Sequence, residues 1–201
     1  MDGDDEGAGI GGNDESSVPS EEAILDEIEG VSLTPTEHER VKDLVHGDHL
    51  HDIKRHDRRY LVVGAGGESG AATRRMTVYE LLDARSNPPA TAFRLEDFGL
   101  TPDEIRLWTR VFDILCGQAS HIVAVLEDFD GGYVWELGLL FAPSYRDKTW
   151  TLKRRYPDPE VEREKYDNGM AASHVQLLLT GSRCHEWVDV DDLPDAVAEI
   201  P

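Results

Sequence analysis

Apolar positions along the chain come in two kinds, short unbroken runs and longer stretches at helical spacing. Arg59-Tyr60-Leu61-Val62-Val63-Gly64 and Ile122-Val123-Ala124-Val125-Leu126 are unbroken runs, the pattern of parallel strands buried on both faces. Each run leads through a glycine-containing segment into helical spacing, from Ala72 to Ala84 after the first and from Tyr133 to Phe141 after the second. Thr91 to Leu95 reads as a strand, and Pro102 to Cys116 as a helix that Thr101 can cap. Thr149 to Leu152 reads as a strand, Met170 to Leu179 as a helix ending at Gly181, and Glu186 to Val190 as a last strand. Strict βαβα alternation predicts an α/β domain, a parallel sheet with helices on both faces.

The segments before this domain are different. Residues 1–20 are Gly, Asp, Glu and Ser with almost no large apolar side chains, so they are expected to be a disordered acidic tail. Residues 21–58 are expected to be a helical appendage and linker. One helix would start at Ser20, carry Ile24, Leu25 and Ile28, and end at Gly30; a second, capped by Thr36, would carry Val41, Leu44 and Val45 and stop near Gly47. The α/β domain then spans residues 59–201.

Charge narrows the partners. A formal net charge of −21 repels polyanions at long range and argues against long nucleic acid. The acids are spread along the chain and the bases are five Lys against fifteen Arg. That composition resembles proteins of salt-loving archaea, where molar salt shortens the Debye length to roughly 3 Å and makes self-repulsion tolerable. No apolar run reaches the roughly 18 residues that span a bilayer, and the acidic N-terminus opposes a signal peptide. The expectation is a cytoplasmic protein with no membrane partner. Cys116 and Cys184 are not closely spaced, so they read as buried or incidental thiols.

Parallel sheets bind ligands outside the carboxyl ends of their strands, where neighbouring connections diverge. In a flavodoxin-like strand order that crevice falls between the strand ending at Gly64 and the strand ending at Leu126. In Asp130-Gly131-Gly132-Tyr133-Val134-Trp135-Glu136-Leu137-Gly138, two glycines let backbone approach a ligand, and Glu136 follows in the first helical turns. The helix dipole there favours an ionised carboxylate, which suits a nucleophile, so the proton for a leaving group would come from a second acid such as Asp113 or Asp130. The loop Gly64-Ala65-Gly66-Gly67-Glu68-Ser69-Gly70 lacks Rossmann spacing, because Ser69 stands where glycine is required and Glu96 is late for a ribose. It reads as a tight turn that leaves room for a small ligand.

Other candidates carry less. Arg74 and Arg75 would meet a phosphate or simply start a solvated helix. His46, Asp48, His49, His51, Asp52, His56 and Asp57 match no rigid ligand pair, so no metal is expected. His174 and His185 read as ordinary histidines, and Trp108 and Trp135 as core packing.

Residues 60–179 resemble the nucleoside 2-deoxyribosyltransferases, flavodoxin-like enzymes with a three-layer sandwich. The likeness rests on Gly64-Ala65-Gly66 closing the first strand and on Asp130 through Glu136-Leu137-Gly138. It implies cleavage of a nucleoside or nucleotide N-glycosidic bond, or deoxyribosyl transfer, with Glu136 attacking the anomeric carbon, Asp130 on the sugar side and Asp113 protonating the base. The turn Gly64, Ala65, Gly66, Gly67 with Gly132 and Tyr133 would bind the ligand. Asn168 looks like the asparagine that members lend to a neighbouring subunit, which implies a homo-oligomer. No cofactor is implied. The family carries a tyrosine that holds the nucleophile beside the first-strand glycines; here those positions are Val62 and Val63, and Tyr133 is the substitute from the other loop. The alternative is therefore a non-catalytic sensor that binds a nucleotide-like ligand. NAD joins the candidate ligands because NAD-cleaving TIR-type domains also use a helix-borne Glu.

Overall fold

The structure, a computed structural model, describes residues 33–201. The expected acidic tail and the helix from Ser20 to Gly30 lie outside the described residues. Residues Glu39–Pro201 pack as one unit.

Two helices come first, α1 (Pro35–Val45) and α2 (Asp48–Lys54). The cap of α1 is Thr34, not the expected Thr36. Pro35 suits the first helical position because its missing N–H needs no partner there. Glu37 then completes a capping box, accepting from the Thr34 N–H at 2.8 Å while the Thr34 hydroxyl accepts from the Glu37 N–H at 3.3 Å. Val41, Leu50 and Ile53 are buried, His49 meets the Phe98 ring at 4.8 Å, and Arg40 pairs with Glu104 at 2.8 Å. Apolar side chains every three or four residues gave these helices a face to bury, and α2 buries its own beside the second strand.

The sheet holds five parallel strands, β1 (Arg58–Gly64), β2 (Ala90–Phe93), β3 (His121–Leu126), β4 (Thr149–Arg154) and β5 (Cys184–Trp187), in the order β2-β1-β3-β4-β5. This is the flavodoxin-like order. Between the strands run α3 (Gly70–Asp83), α4 (Ile105–Gln118), α5 (Tyr133–Leu140), α6 (Pro143–Arg146), α7 (Pro159–Lys165) and α8 (Gly169–Thr180), and α9 (Leu193–Ala198) follows β5. Helices α3 and α9 cover one face, where Val78, Leu82, Leu193 and Val197 pack on Tyr60, Val62, Val123, Val125 and Leu152. Helices α4, α5 and α8 lie on the other face, over the alternate strand positions Leu61, Val63, Ile122 and Ala124, which are also buried. Burial on both faces is why β1 and β3 read as unbroken apolar runs.

Strand ends moved where side chains took backbone donors out of the ladder. The strand expected to reach Leu95 stops at Phe93 because the Asp97 carboxylate accepts from the Arg94 N–H at 2.7 Å. The last strand lies at Cys184–Trp187 instead of Glu186 to Val190, since Asp192 captures the N–H groups of Val188 and Asp189 at 3.0 and 2.9 Å. No helix among the described residues is long and apolar enough to cross a membrane.

Candidate functional site

Gly64 of β1 pairs with Val125 of β3, and the two chains then leave in opposite directions, β1 towards β2 and β3 towards β4. A cavity of about 710 Å³ opens between them, a volume suited to a nucleoside-sized molecule. Its walls are the β1 end with Ala65, Gly66 and Gly67, the loop from Asp128 to Tyr133, Glu136 of α5, Arg75 of α3, Glu96, and Trp108 with Phe112 of α4.

Gly64 is required by its surroundings. Its φ is +145°, and a Cβ there would lie 2.7 Å from the Val125 carbonyl oxygen. Gly64→Ala is expected to lower stability by about 2 kcal/mol, seen as a lower urea midpoint at unchanged slope. An unaltered midpoint would show that the strands part freely at this point. Beyond the turn, the Ser69 hydroxyl caps α3 by accepting from the Ala72 N–H at 3.2 Å.

Glu136 sits in the first turn of α5 and faces this cavity. The helix dipole was expected to favour its ionised form. Instead, burial first, and the Glu96 carboxylate second, push its pKa up to about 7 against the opposing pull of Arg75. A terminal dipole is worth a few tenths to 1 kcal/mol, whereas losing water around a carboxylate costs several times that. Glu136 is therefore poised to hold or release a proton near neutrality.

The loop beside it is shaped by Asp128. Its Oδ1 accepts from the Asp130 N–H at 3.1 Å and from the Tyr133 hydroxyl at 2.5 Å. The Tyr133 phenol, desolvated and beside that carboxylate, is held well above its ordinary range. Tyr133 thus supports the loop and does not take the place of the missing first-strand tyrosine. Asp130 is exposed and lines the cavity.

The expected acid Asp113 is elsewhere. Trp108 and Phe112, four residues apart on α4, turn towards the cavity, and Asp113 lies roughly 100° further round the helix. It is exposed, and its carboxylate accepts the Tyr145 hydroxyl of α6. Asn168 is also outside the cavity, capping α8 by accepting from the Ala171 N–H at 3.2 Å. Gly64, Ala65, Gly66, Gly67, Asp130, Gly132, Tyr133 and Glu136 are brought together as expected.

Several cavity residues were undecided or misjudged in the sequence. Arg75 is 7% exposed; its Nη2 pairs with Glu96, its Nη1 donates to the Gly64 carbonyl at 3.4 Å, and its Nε has no partner among the described residues. Trp108 and Trp135 are not core residues. They are 40% and 82% exposed, and Trp108 walls the cavity while donating to the Thr101 carbonyl at 3.2 Å. The inward stripe of α4 is Leu107, Val111 and Leu115, which leaves Trp108 at its margin.

Behind the loop lies a charged cluster. Glu127 is 6% exposed, and its carboxylate meets Arg74 through Nε at 2.6 Å and through Nη2, and Arg154 at 2.9 Å. The hydrogen bond to Glu127 raises the Arg74 pKa. Both guanidiniums lie over the Trp187 ring, at 5.9 and 5.4 Å, and the Tyr156 hydroxyl donates to the Glu127 carbonyl at 2.7 Å. This cluster ties the first turns of α3 to the strand end that carries the Asp128 loop.

The remaining titratable groups are packed. His174 lies between α5 and α8 against Phe141, 4.2 Å between rings, with its pKa pushed down to about 4 by burial and Arg146. His185 stacks on Trp150, and both cysteines are buried, with Cys184 pushed up to about 12. No group of three His, Cys, Asp or Glu placed to hold a metal occurs among the described residues.

No curated protein and no solved structure matches the chain. Residues 13–181 match a family described as "Family of unknown function (DUF8170)", and the chain belongs to that family.

Proposed function

We propose that the cavity binds a nucleoside or nucleotide and that Glu136 breaks its N-glycosidic bond. In the step, a Glu136 carboxylate oxygen forms a bond to the anomeric carbon. The carbon–nitrogen bond breaks, its electron pair leaves with the base, and the base gains a proton. A second base or water then releases the sugar from Glu136. The observation that carries this reading is a carboxyl group titrating near 7 inside the cavity at the divergence of β1 and β3. Asp130, the other expected acid that lines the cavity, is the group assigned to proton transfer. Trp108 offers a ring face for a base.

A second reading, a sensor that binds such a ligand unchanged, is favoured by two hydrogen bonds. Tyr133 is committed to Asp128 and Asp113 to Tyr145, so neither is placed to steady or assist Glu136. One experiment separates the readings. Full-length protein in molar KCl is incubated with deoxynucleosides, nucleoside monophosphates and NAD, and free base and thermal stabilisation are both followed. Base release, faster at pH 8 than at pH 6, supports cleavage. Stabilisation by a ligand recovered intact supports the sensor. Neither effect with any of these ligands rejects both.

A further inference from the structure

We infer that Glu96 selects the sugar of the bound nucleoside or nucleotide, accepting hydrogen bonds from the 2′- and 3′-hydroxyls of a ribose, so that the cavity prefers ribose to 2′-deoxyribose. This rests on the nucleoside reading of the cavity and adds the sugar class to it. Counted along the chain, Glu96 comes late after the Gly64 turn for a ribose contact of the Rossmann kind. In space it does not. Strand β2 ends at Phe93, and the 3₁₀ turn Leu95–Phe98 that follows brings Glu96 to the glycine turn of β1, with its Oε1 3.7 Å from the place a Cβ on Gly66 would take. A carboxylate beyond one strand's carboxyl end and beside its neighbour's glycine turn is where parallel sheets hold ribose hydroxyls.

The carboxylate is held in place from two sides. Asp97 fixes the turn by accepting from the Arg94 N–H at 2.7 Å and from its Nη2 at 2.6 Å, and the buried Phe98 meets Phe93 edge-on, 6.5 Å between rings. Arg75 anchors Glu96 itself, its Nη2 donating to Oε1. The Arg75 side chain is 8% exposed, whereas that of Glu96 is 47% exposed and lines the cavity. One end of this ion pair is sunk in the protein, and the other is presented to a ligand.

The pairing also selects the group that Glu96 takes. Its charge is met by Arg75, so it does not call for a cation. A carboxylate offers about four lone-pair sites on two oxygens and no donor, and Arg75 occupies one of them. What suits the remainder is a neutral donor, and two O–H groups on adjacent carbons match the two oxygens. Glu96 and Glu136 border the same part of the cavity, since the charge of Glu96 helps to push the Glu136 pKa up. With the anomeric carbon at Glu136, the hydroxyl on the next carbon is in reach of a second carboxylate, and a hydrogen bond there strengthens as charge develops at the reacting carbon.

Equilibrium binding to Glu136→Gln, in which either sugar stays intact, tests this. The probes are pairs that differ only at C2′, adenosine with 2′-deoxyadenosine and uridine with 2′-deoxyuridine, together with their 5′-monophosphates, in molar KCl. In the pairs that bind, the ribose member should bind at least about tenfold more tightly. Glu96→Gln in the same background should shrink that ratio to within about threefold, because its one carbonyl oxygen is claimed by Arg75. A structural disturbance would weaken both sugars alike and leave the ratio unmoved, which overturns the inference. Equal binding of the two sugars, or a preference for 2′-deoxyribose, overturns it without any Glu96 variant, so the outcome stands even if circular dichroism shows that Glu96→Gln does not fold. In these cases the nucleoside reading survives. Binding of no member of any pair overturns both this inference and the reading of the cavity on which it rests.

Discussion

Glu136→Gln should do two opposite things: abolish base release and make the protein more stable above neutral pH. Removing an attacking carboxylate typically costs on the order of 10³-fold or more in rate, and glutamine keeps the shape while losing the nucleophilic oxygen. The stability gain follows from the raised pKa. In the folded chain Glu136 titrates near 7, above its ordinary 4.5, so between those values the folded state keeps a proton that the unfolded chain has lost. Stability from this group is thus full below about pH 4.5 and falls as pH rises through 7. Glutamine carries no charge at either end of that window. Its advantage should be absent at pH 4.5 and reach roughly 3 kcal/mol at pH 8. Urea unfolding at both pH values reads the gain, and chromatography of free base reads the loss. A variant that still releases base removes Glu136 from the chemistry. A variant whose advantage over the unaltered protein is no larger at pH 8 than at pH 4.5 shows that the carboxylate is adequately solvated after all.

Such a cost, carried by a side chain aimed into a cavity, is what a functional carboxylate looks like in energetic terms. It also marks the division between what the sequence could and could not convey. The unbroken apolar runs of β1 and β3 and their glycine loops located the cavity, because burial on both faces and close backbone approach are local requirements written in local residue types. The environment of Glu136 was not local. Glu96 and Arg75, which set its protonation, come from other elements, and the helix dipole visible in the sequence proved the weaker influence. Asp113 was misplaced for a geometric reason: its separation from His121 fixes a place along α4 but not a direction around it, and Phe112 faces the cavity in its stead. The short helices α6 and α7 passed unnoticed although Pro143 and Pro159 stand at their starts, a signal that was there to be used.

Glu127→Ala should be among the most destabilising single substitutions in the chain, although Glu127 does not line the cavity. Its carboxylate is the counter-charge for Arg74 and Arg154 in a cluster closed over by Trp187, Tyr156 and Tyr166. Removing it leaves two guanidiniums stacked on one indole with nothing between them. Breaking a fully buried ion pair costs about 3 to 5 kcal/mol, and because the Arg74 and Arg154 side chains are 25% and 28% exposed and can regain some water, the cost here should be about 2 to 3 kcal/mol. The Arg154 Nε and the Trp187 Nε1 are buried without partners among the described residues, so the side of the cluster against the indole is closed to water. Glu127→Gln keeps the acceptor oxygen and the volume, so its cost should be smaller, and chemical denaturation of the two variants side by side measures the difference. A loss under 1 kcal/mol for the alanine variant would mean that the arginines simply turn to solvent. The cluster also reaches the cavity, since Arg74 precedes Arg75 on α3 and Glu127 precedes Asp128 on the loop. An apolar replacement of all three charged residues would be expected to recover much of the stability. If it also recovers ligand binding, the charges merely fill space; if binding stays lost in a stable protein, their role is to fix Arg75 and Asp128 in place.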